Sequence, residues 1–168
     1  EEKQALEEEQ YAEEYPKTQP IASDATSITI GSGILADNIA RSIFATAQDE
    51  LRPVMNGIFF DLTTDWLAIV ATDGHKLVRN KNFAIKNDVP ASFILPKKPA
   101  NLLKGTLAKD ESDVVIRFDS RSAEISYTDG SLTCRLIEGK YPNYNSVIPE
   151  DNPNQITIDR KSLIGAIR

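Results

Sequence analysis

Side chains able to do proton or nucleophile chemistry at neutral pH are few here: the chain has one histidine, His75, and one cysteine, Cys134. His75 follows Asp73 by two residues in Thr72-Asp73-Gly74-His75. A histidine beside a carboxylate is the beginning of a general-base pair, and on its own it would point to an enzyme. The rest of the sequence gives such a pair no partners, because no nucleophile motif and no phosphate-binding glycine loop occurs. Residues two apart across a turn need not face one another. One His and one Cys also fall short of the usual zinc ligand sets. No catalytic residue, no metal ligand and no cofactor is therefore expected.

The elements that must position these residues are legible around the same stretch. Asp-Gly between two apolar runs is a strong hairpin signal, because glycine tolerates the positive φ of a tight turn. Trp66 to Ala71 should enter the turn as a strand and Lys76 to Phe83 should leave it as one. Before it, Ser27–Ile30 alternates as a strand. Ile34, Leu35, Ile39, Ile43, Phe44 and Ala47 recur mostly every three to five residues, predicting an amphipathic helix over 32–48. Pro53 stops further helix, and Met55 to Leu62 reads as a strand. Residues 80–90 are loop-like, with Phe83 and Ile85 alternating as in an edge strand. Ala91–Leu95 is a strand. Pro96-Lys97-Lys98-Pro99 ends it and starts a short helix, Ala100 to Leu107. Asp113–Phe118, Ser122–Tyr127 and Ser131–Ile137 are three further strands. Cys134, in the last of them, reads as a small buried hydrophobe. The pattern is α+β, with helices segregated from largely antiparallel sheets.

Composition narrows the class. At 168 residues and 40% apolar, the chain has material for one core, with no apolar run long enough to span a bilayer. A lone cysteine and an acidic rather than basic-then-apolar N-terminus fit a reducing cytoplasm and no signal peptide. The net charge of −6 is unevenly placed: residues 1–14 hold seven acids and one base, and the remainder holds 18 of each. That stretch is open to a short Glu- and Ala-rich helix or a solvated tail. Tyr15 to Asp24, with Pro16 and Pro20, reads as a linker. A neutral body neither demands nucleic acid nor excludes it; only a clustered basic face would matter.

A repeat adds organisation. Ile28-Thr29-Ile30 followed by Leu35 and Ile39 matches Ile156-Thr157-Ile158 followed by Leu163 and Ile167, each pair offset by 128. Asn154 to Arg168 then opens a second copy that cannot form a core alone, and the chain reads as a piece of a protein of tandem domains. Residues 1–25 are tail and linker, 26–149 one domain, and 150–168 the linker and start of the next.

Three motifs, Asp49 to Phe60, Ala71 to Leu77, and Glu138-Gly139-Lys140-Tyr141-Pro142-Asn143-Tyr144, resemble the bacterial DNA polymerase III beta subunit, the sliding clamp, in its order and spacing. The resemblance covers roughly Thr26 to Pro149. It implies a clamp domain with two helices packed on one face of antiparallel sheets, the middle one of three such domains per subunit. Two subunits would form a homodimeric ring around duplex DNA, with segments 32–48 and 97–107 inside. Sequence-independent holding suits side chains that touch phosphates only. The resemblance assigns DNA contacts to Arg52, Lys97 and Lys98, and Arg41 and Lys104 lie on or beside the same helices. Pro53 and Val54 stand where relatives often carry aromatic residues.

A second implied site is a shallow apolar pocket for short linear motifs of polymerases, the clamp loader and repair proteins. Its residues match Met55, Thr72, Gly74, His75, Lys76, Leu77, Pro142 and Val147. Lys76 replaces an arginine of many relatives, which removes a planar bidentate donor. The rest of that pocket would come from the third domain, so this chain alone should bind such peptides weakly, behave as a monomer, and have no active site of its own. The competing reading is a stand-alone peptide-binding module without a DNA role. Convergence of Arg52, Lys97 and Lys98 on one face would favour the ring.

Overall fold

Two runs of strand, helix and three strands make up the domain, and their first strands change places. The computed structural model describes residues 20–109 and 111–167. The acidic stretch 1–14 and residues 15–19 of the proline-bearing segment after it lie outside the described residues. The first run is β1 (Thr26–Gly31), α1 (Ser32–Ser42), β2 (Gly57–Leu62), β3 (Leu67–Thr72) and β4 (Leu77–Asn82). The second is β5 (Ala91–Pro96), α2 (Lys97–Leu107), β6 (Asp113–Phe118), β7 (Ser122–Tyr127) and β8 (Gly130–Arg135). One sheet has the order β1-β6-β7-β8 and the other β4-β3-β2-β5, all antiparallel. Each run thus lends its first strand to the other run's sheet, and neither half has a complete sheet without its partner.

The two helices lie against each other over the sheets. Leu35 and Ile39 of α1 and Leu103 and Leu107 of α2 are buried with Phe60, Phe93, Phe118, Ile116 and Ile125 in one core. Phe93 stacks on Phe60 at 4.5 Å and tilts onto Phe118 at 4.4 Å, joining the two sheets through their interior faces. Burying one such ring is worth about 1.5–3 kcal/mol.

β3 is buried along its whole length, and its two faces serve different cores. Leu67 and Ile69 point to the helices, while Ala68 and Val70 point away. The outward face is covered by the segment after β8, whose Tyr141 stacks on Phe59 at 4.5 Å and whose Tyr144 meets the same ring edge-on at 6.2 Å. This smaller core is what makes a site possible at the end of β3.

Several boundaries differ from the sequence reading. The first helix ends at Ser42, not 48: a single 3-10 turn follows (Ile43–Ala45), Thr46 is extended, and the Ala47 N–H donates to the Met55 carbonyl at 2.8 Å. Residues Pro53–Asn56 form another 3-10 turn, so β2 starts at Gly57 rather than Met55. The second helix begins at Lys97, with Pro99 tolerated inside the first turn, where its missing N–H costs nothing. No edge strand runs through Phe83 and Ile85, because the Asn82 side chain accepts from the Ala84 N–H and turns the chain. β8 stops at Arg135 since the next residues switch sheets: Leu136 N–H donates to the Arg121 carbonyl and Ile137 N–H to that of Ile94. In the repeat, Ile156–Ile158 forms no strand, and only the helix α3 (Arg160–Ile167) appears, exposed throughout. A β1-like strand needs a β6-like partner, and none of the described residues supplies one.

Candidate functional site

Thr72 closes β3 with its side chain on the face away from the helices. Its hydroxyl donates to the Lys76 carbonyl at 2.8 Å and accepts from the Gly74 N–H at 3.1 Å. Asp73 completes the turn: its Oδ1 accepts from the backbone N–H of His75 (2.9 Å) and of Lys76 (3.0 Å), and its Oδ2 is held by the Lys76 ammonium. These bonds, led by that of the Lys76 side chain, hold the Asp73 carboxyl well below the usual carboxylate range. Asp73 therefore reaches His75 through the backbone, with its carboxylate committed to the turn, and this geometry argues against the general-base pairing the sequence allows. Gly74 sits at φ +91°, a conformation that L side chains rarely adopt.

Two further segments are pinned against this turn. Asp49 and Asn56 clasp each other, Asp49 N–H to Asn56 Oδ1 at 2.9 Å and Asn56 Nδ2 to the Asp49 carbonyl at 3.0 Å. The loop so closed carries Met55. On the other side, the Tyr144 hydroxyl donates to Asp61 Oδ2 at 2.6 Å, which fixes the 3-10 turn Tyr144–Val147. Burial raises the Tyr144 phenol above its ordinary range, and the Asp61 carboxylate adds to the effect. Burial likewise pushes the Tyr141 phenol up to about 12. The Cys134 thiol, pushed up to about 11 by burial, is poorly reactive.

Met55, Thr72, Gly74, His75, Lys76, Leu77, Pro142 and Val147 together line one cavity of about 330 Å³. All eight residues assigned by resemblance to the peptide pocket are thus brought together from three distant segments. Asn143 and Tyr144 line it too, and the sequence reading missed them although both stand in the third quoted motif. Met55 and Leu77 give apolar walls, and Val147 is 67% exposed at the rim. Such a cavity suits an apolar side chain of an extended ligand.

The basic residues are less concentrated. Arg52 and Lys97 line a second depression together with Gln48, Asp49, Asp73 and His75. Lys98 follows Lys97 at the exposed start of α2. Arg41 lies on the exposed face of α1, paired with Asp37 at 3.1 Å, and Lys104 is half-buried on α2. Among the described residues, no group of three or more His, Cys, Asp or Glu could hold a metal ion, and no helix is long and apolar enough to cross a membrane.

Comparison with known proteins points one way. The family described as DNA polymerase III beta subunit, central domain, matches residues 29–143. A beta sliding clamp of Buchnera aphidicola is 34% identical over 134 residues, covering 80% of this chain and 37% of the relative. The crystal structure of the DNA polymerase III beta subunit of Thermotoga maritima is 31% identical with a TM-score of 0.73, covering 83% of this chain and 38% of that one. A sliding clamp of Pseudomonas aeruginosa bound to griselimycin is 26% identical with a TM-score of 0.78, covering 84% and 38%. The chain spans about two-fifths of the length of the curated relatives it matches.

Proposed function

The chain belongs to the family of DNA polymerase III beta subunits, through their central domain, and from that premise we propose that it serves as the middle domain of a sliding clamp. In this reading residues 26–149 form the domain, and 150–168 open a further copy. Two subunits close a ring around duplex DNA in the cytoplasm and tether the replicative polymerase. The protein is an accessory processivity factor without an active site. Helices α1 and α2 face the duplex, and Arg52, Lys97, Lys98 and Arg41 meet phosphates without reading sequence. The Met55 cavity takes short linear motifs of the polymerase, clamp loader and repair proteins.

The single observation that carries the reading is the assembly of eight residues from three distant segments into one cavity beside the Asp73 turn. Extended peptides are captured this way, by apolar anchors in a pocket and backbone bonds at the rim. The test is a titration of the chain with a short acetylated peptide ending in Leu-Leu, followed by amide NMR. Shifts confined to residues 72–77 and 142–147, with a dissociation constant of roughly 10⁻⁴ M, are expected. Sub-micromolar affinity would overturn the premise that the cavity is completed by a neighbouring domain. Shifts elsewhere would overturn the peptide reading itself.

A further inference from the structure

One turn separates the peptide cavity from the Arg52–Lys97 depression, and His75 lines both. Arg52 stands behind that turn: a Cβ added to Gly74 would lie 3.1 Å from Arg52 Nη1, so the guanidinium occupies the space beside the glycine's open face. The same side chain donates through Nε to Asp49 Oδ2 at 2.8 Å. Asp49 also anchors the loop that carries Met55, through its bonds with Asn56 and the Leu51 N–H. One arginine thus backs two walls of the cavity without lining it.

The depression's charges are paired except for one. Asp49 offsets Arg52, Asp73 is taken by Lys76, and Lys97 forms no ion pair among the described residues. A phosphate arriving there meets one uncommitted cation. Because Arg52 holds Asp49 through Nε and keeps Nη1 behind Gly74, the phosphate gains the bidentate Nη1–Nη2 edge only if the guanidinium moves out from behind the glycine. That movement withdraws the group behind Gly74 and loosens the Nε bond to Asp49 at the base of the Met55 loop.

We propose that Arg52 links the two sites, so that a phosphodiester held by Arg52 and Lys97 weakens peptide binding on the other side of the turn. The inference rests on the reading of the Met55 cavity as a peptide site. It is reciprocal, because a peptide that needs Arg52 behind Gly74 must weaken the phosphate by the same factor. The linkage is at the low end of such effects, about fivefold, since Arg52 is half-exposed and reorients cheaply. In this arrangement Arg52 is a positioning residue for the peptide.

The test uses the acetylated Leu-Leu peptide, which is uncharged at its N-terminus and has no attraction of its own for phosphate. Its dissociation constant is read from the Leu77 and Val147 amides at low ionic strength, in three conditions: alone, with a short DNA duplex of arbitrary sequence, and with inorganic phosphate at matched ionic strength. The expected result is a loss of about fivefold in affinity with the duplex. A loss with inorganic phosphate as well assigns the effect to any phosphate oxygen; a loss with the duplex alone assigns it to a polyanion. Arg52→Ala should bind the peptide weakly in all three conditions. Arg52→Lys keeps the charge but lacks the fork that reaches Asp49 and Gly74 together, and it should behave like Arg52→Ala without duplex. Unfolding curves of both variants matching that of the parent keep a folding defect apart from the linkage.

Peptide affinity unchanged by a duplex that shifts the Arg52 side-chain signals overturns the linkage and leaves the peptide reading intact. A duplex that leaves those signals unmoved overturns the anion half of the proposal. Absence of peptide binding in the parent chain overturns the peptide reading, and the linkage falls with it.

Discussion

Thr-Asp-Gly occurs twice in this domain, at Thr72-Asp73-Gly74 between β3 and β4 and at Thr128-Asp129-Gly130 between β7 and β8. The first hairpin spaces its strands by four residues after the last pair, Thr72 with Leu77; the second closes on two, after Tyr127 with Gly130. Gly74 takes a positive φ in the loop, whereas Gly130 belongs to the ladder. The Thr72 hydroxyl bonds within its own turn, and that of Thr128 donates to Ser112 Oγ at 2.6 Å. The tripeptide makes a turn in both places. The first turn is flanked by Met55, Tyr144 and Arg52, and it borders a cavity that gathers distant segments. Local sequence sets the turn, and what packs behind it decides whether the turn becomes a site.

The largest effect should come from removing that support. Tyr144 is 4% exposed, lines the cavity and holds Asp61. Tyr144→Ala should cost roughly 3–4 kcal/mol in urea unfolding and abolish peptide shifts at Val147. Leu132→Ala, which trims a half-buried residue beside the second turn, should cost about 1 kcal/mol and leave the cavity unchanged. Equal losses would mean that the two hairpins are supported alike.

A smaller effect isolates the turns themselves. Gly74→Ala places an L side chain at φ +91° and pushes Cβ toward the Arg52 guanidinium, so it should cost about 1–2 kcal/mol. Gly130→Ala meets the Tyr127 side chain, nearest at its hydroxyl 3.6 Å away, an ordinary contact, and should change stability by less than about 0.5 kcal/mol. Matched denaturation curves for the two variants decide the point. A Gly130 cost as large as that of Gly74 would show that both turns need glycine for its backbone freedom.

Much of this was legible in the sequence. Alternation marked β1, the Asp-Gly turn marked β3 and β4, and β3 stood out as an apolar run because it buries both faces. The two helices were legible from apolar spacing, though not the end of the first, where a tertiary bond from Ala47 to Met55 overrides a continuing helical pattern. The swap of first strands between sheets was not legible, since local pattern carries no information on which strand pairs with which. For the site, resemblance supplied eight positions, but the role of Tyr144 waited for its half-buried bond to Asp61, a contact 83 residues distant. The placement of Arg52 beside Gly74 was equally hidden, because both belong to motifs read for separate purposes.

The smallest effect asks what holds the first turn. The Asp73 carboxyl lies below its ordinary value of 3.8, held first by the Lys76 side chain and then by the Lys76 and His75 backbone N–H groups. A depressed carboxyl stabilises the fold above its unfolded value, and the contribution is lost as pH falls through the lower folded value. The His75 and Lys76 amide signals should therefore hold their positions through pH 3.8 and move only below it. In Asp73→Asn the amide oxygen still accepts from both N–H groups, so the turn should persist with signals that no longer respond to acid. Salt then separates the two causes, because Lys76 is 48% exposed and its attraction is screened, whereas the backbone N–H bonds are local. A midpoint that rises toward 3.8 in high salt assigns the turn to the ion pair. A midpoint that stays low assigns it to the Asp-Gly backbone geometry, and the lysine at position 76 is then free to serve the cavity.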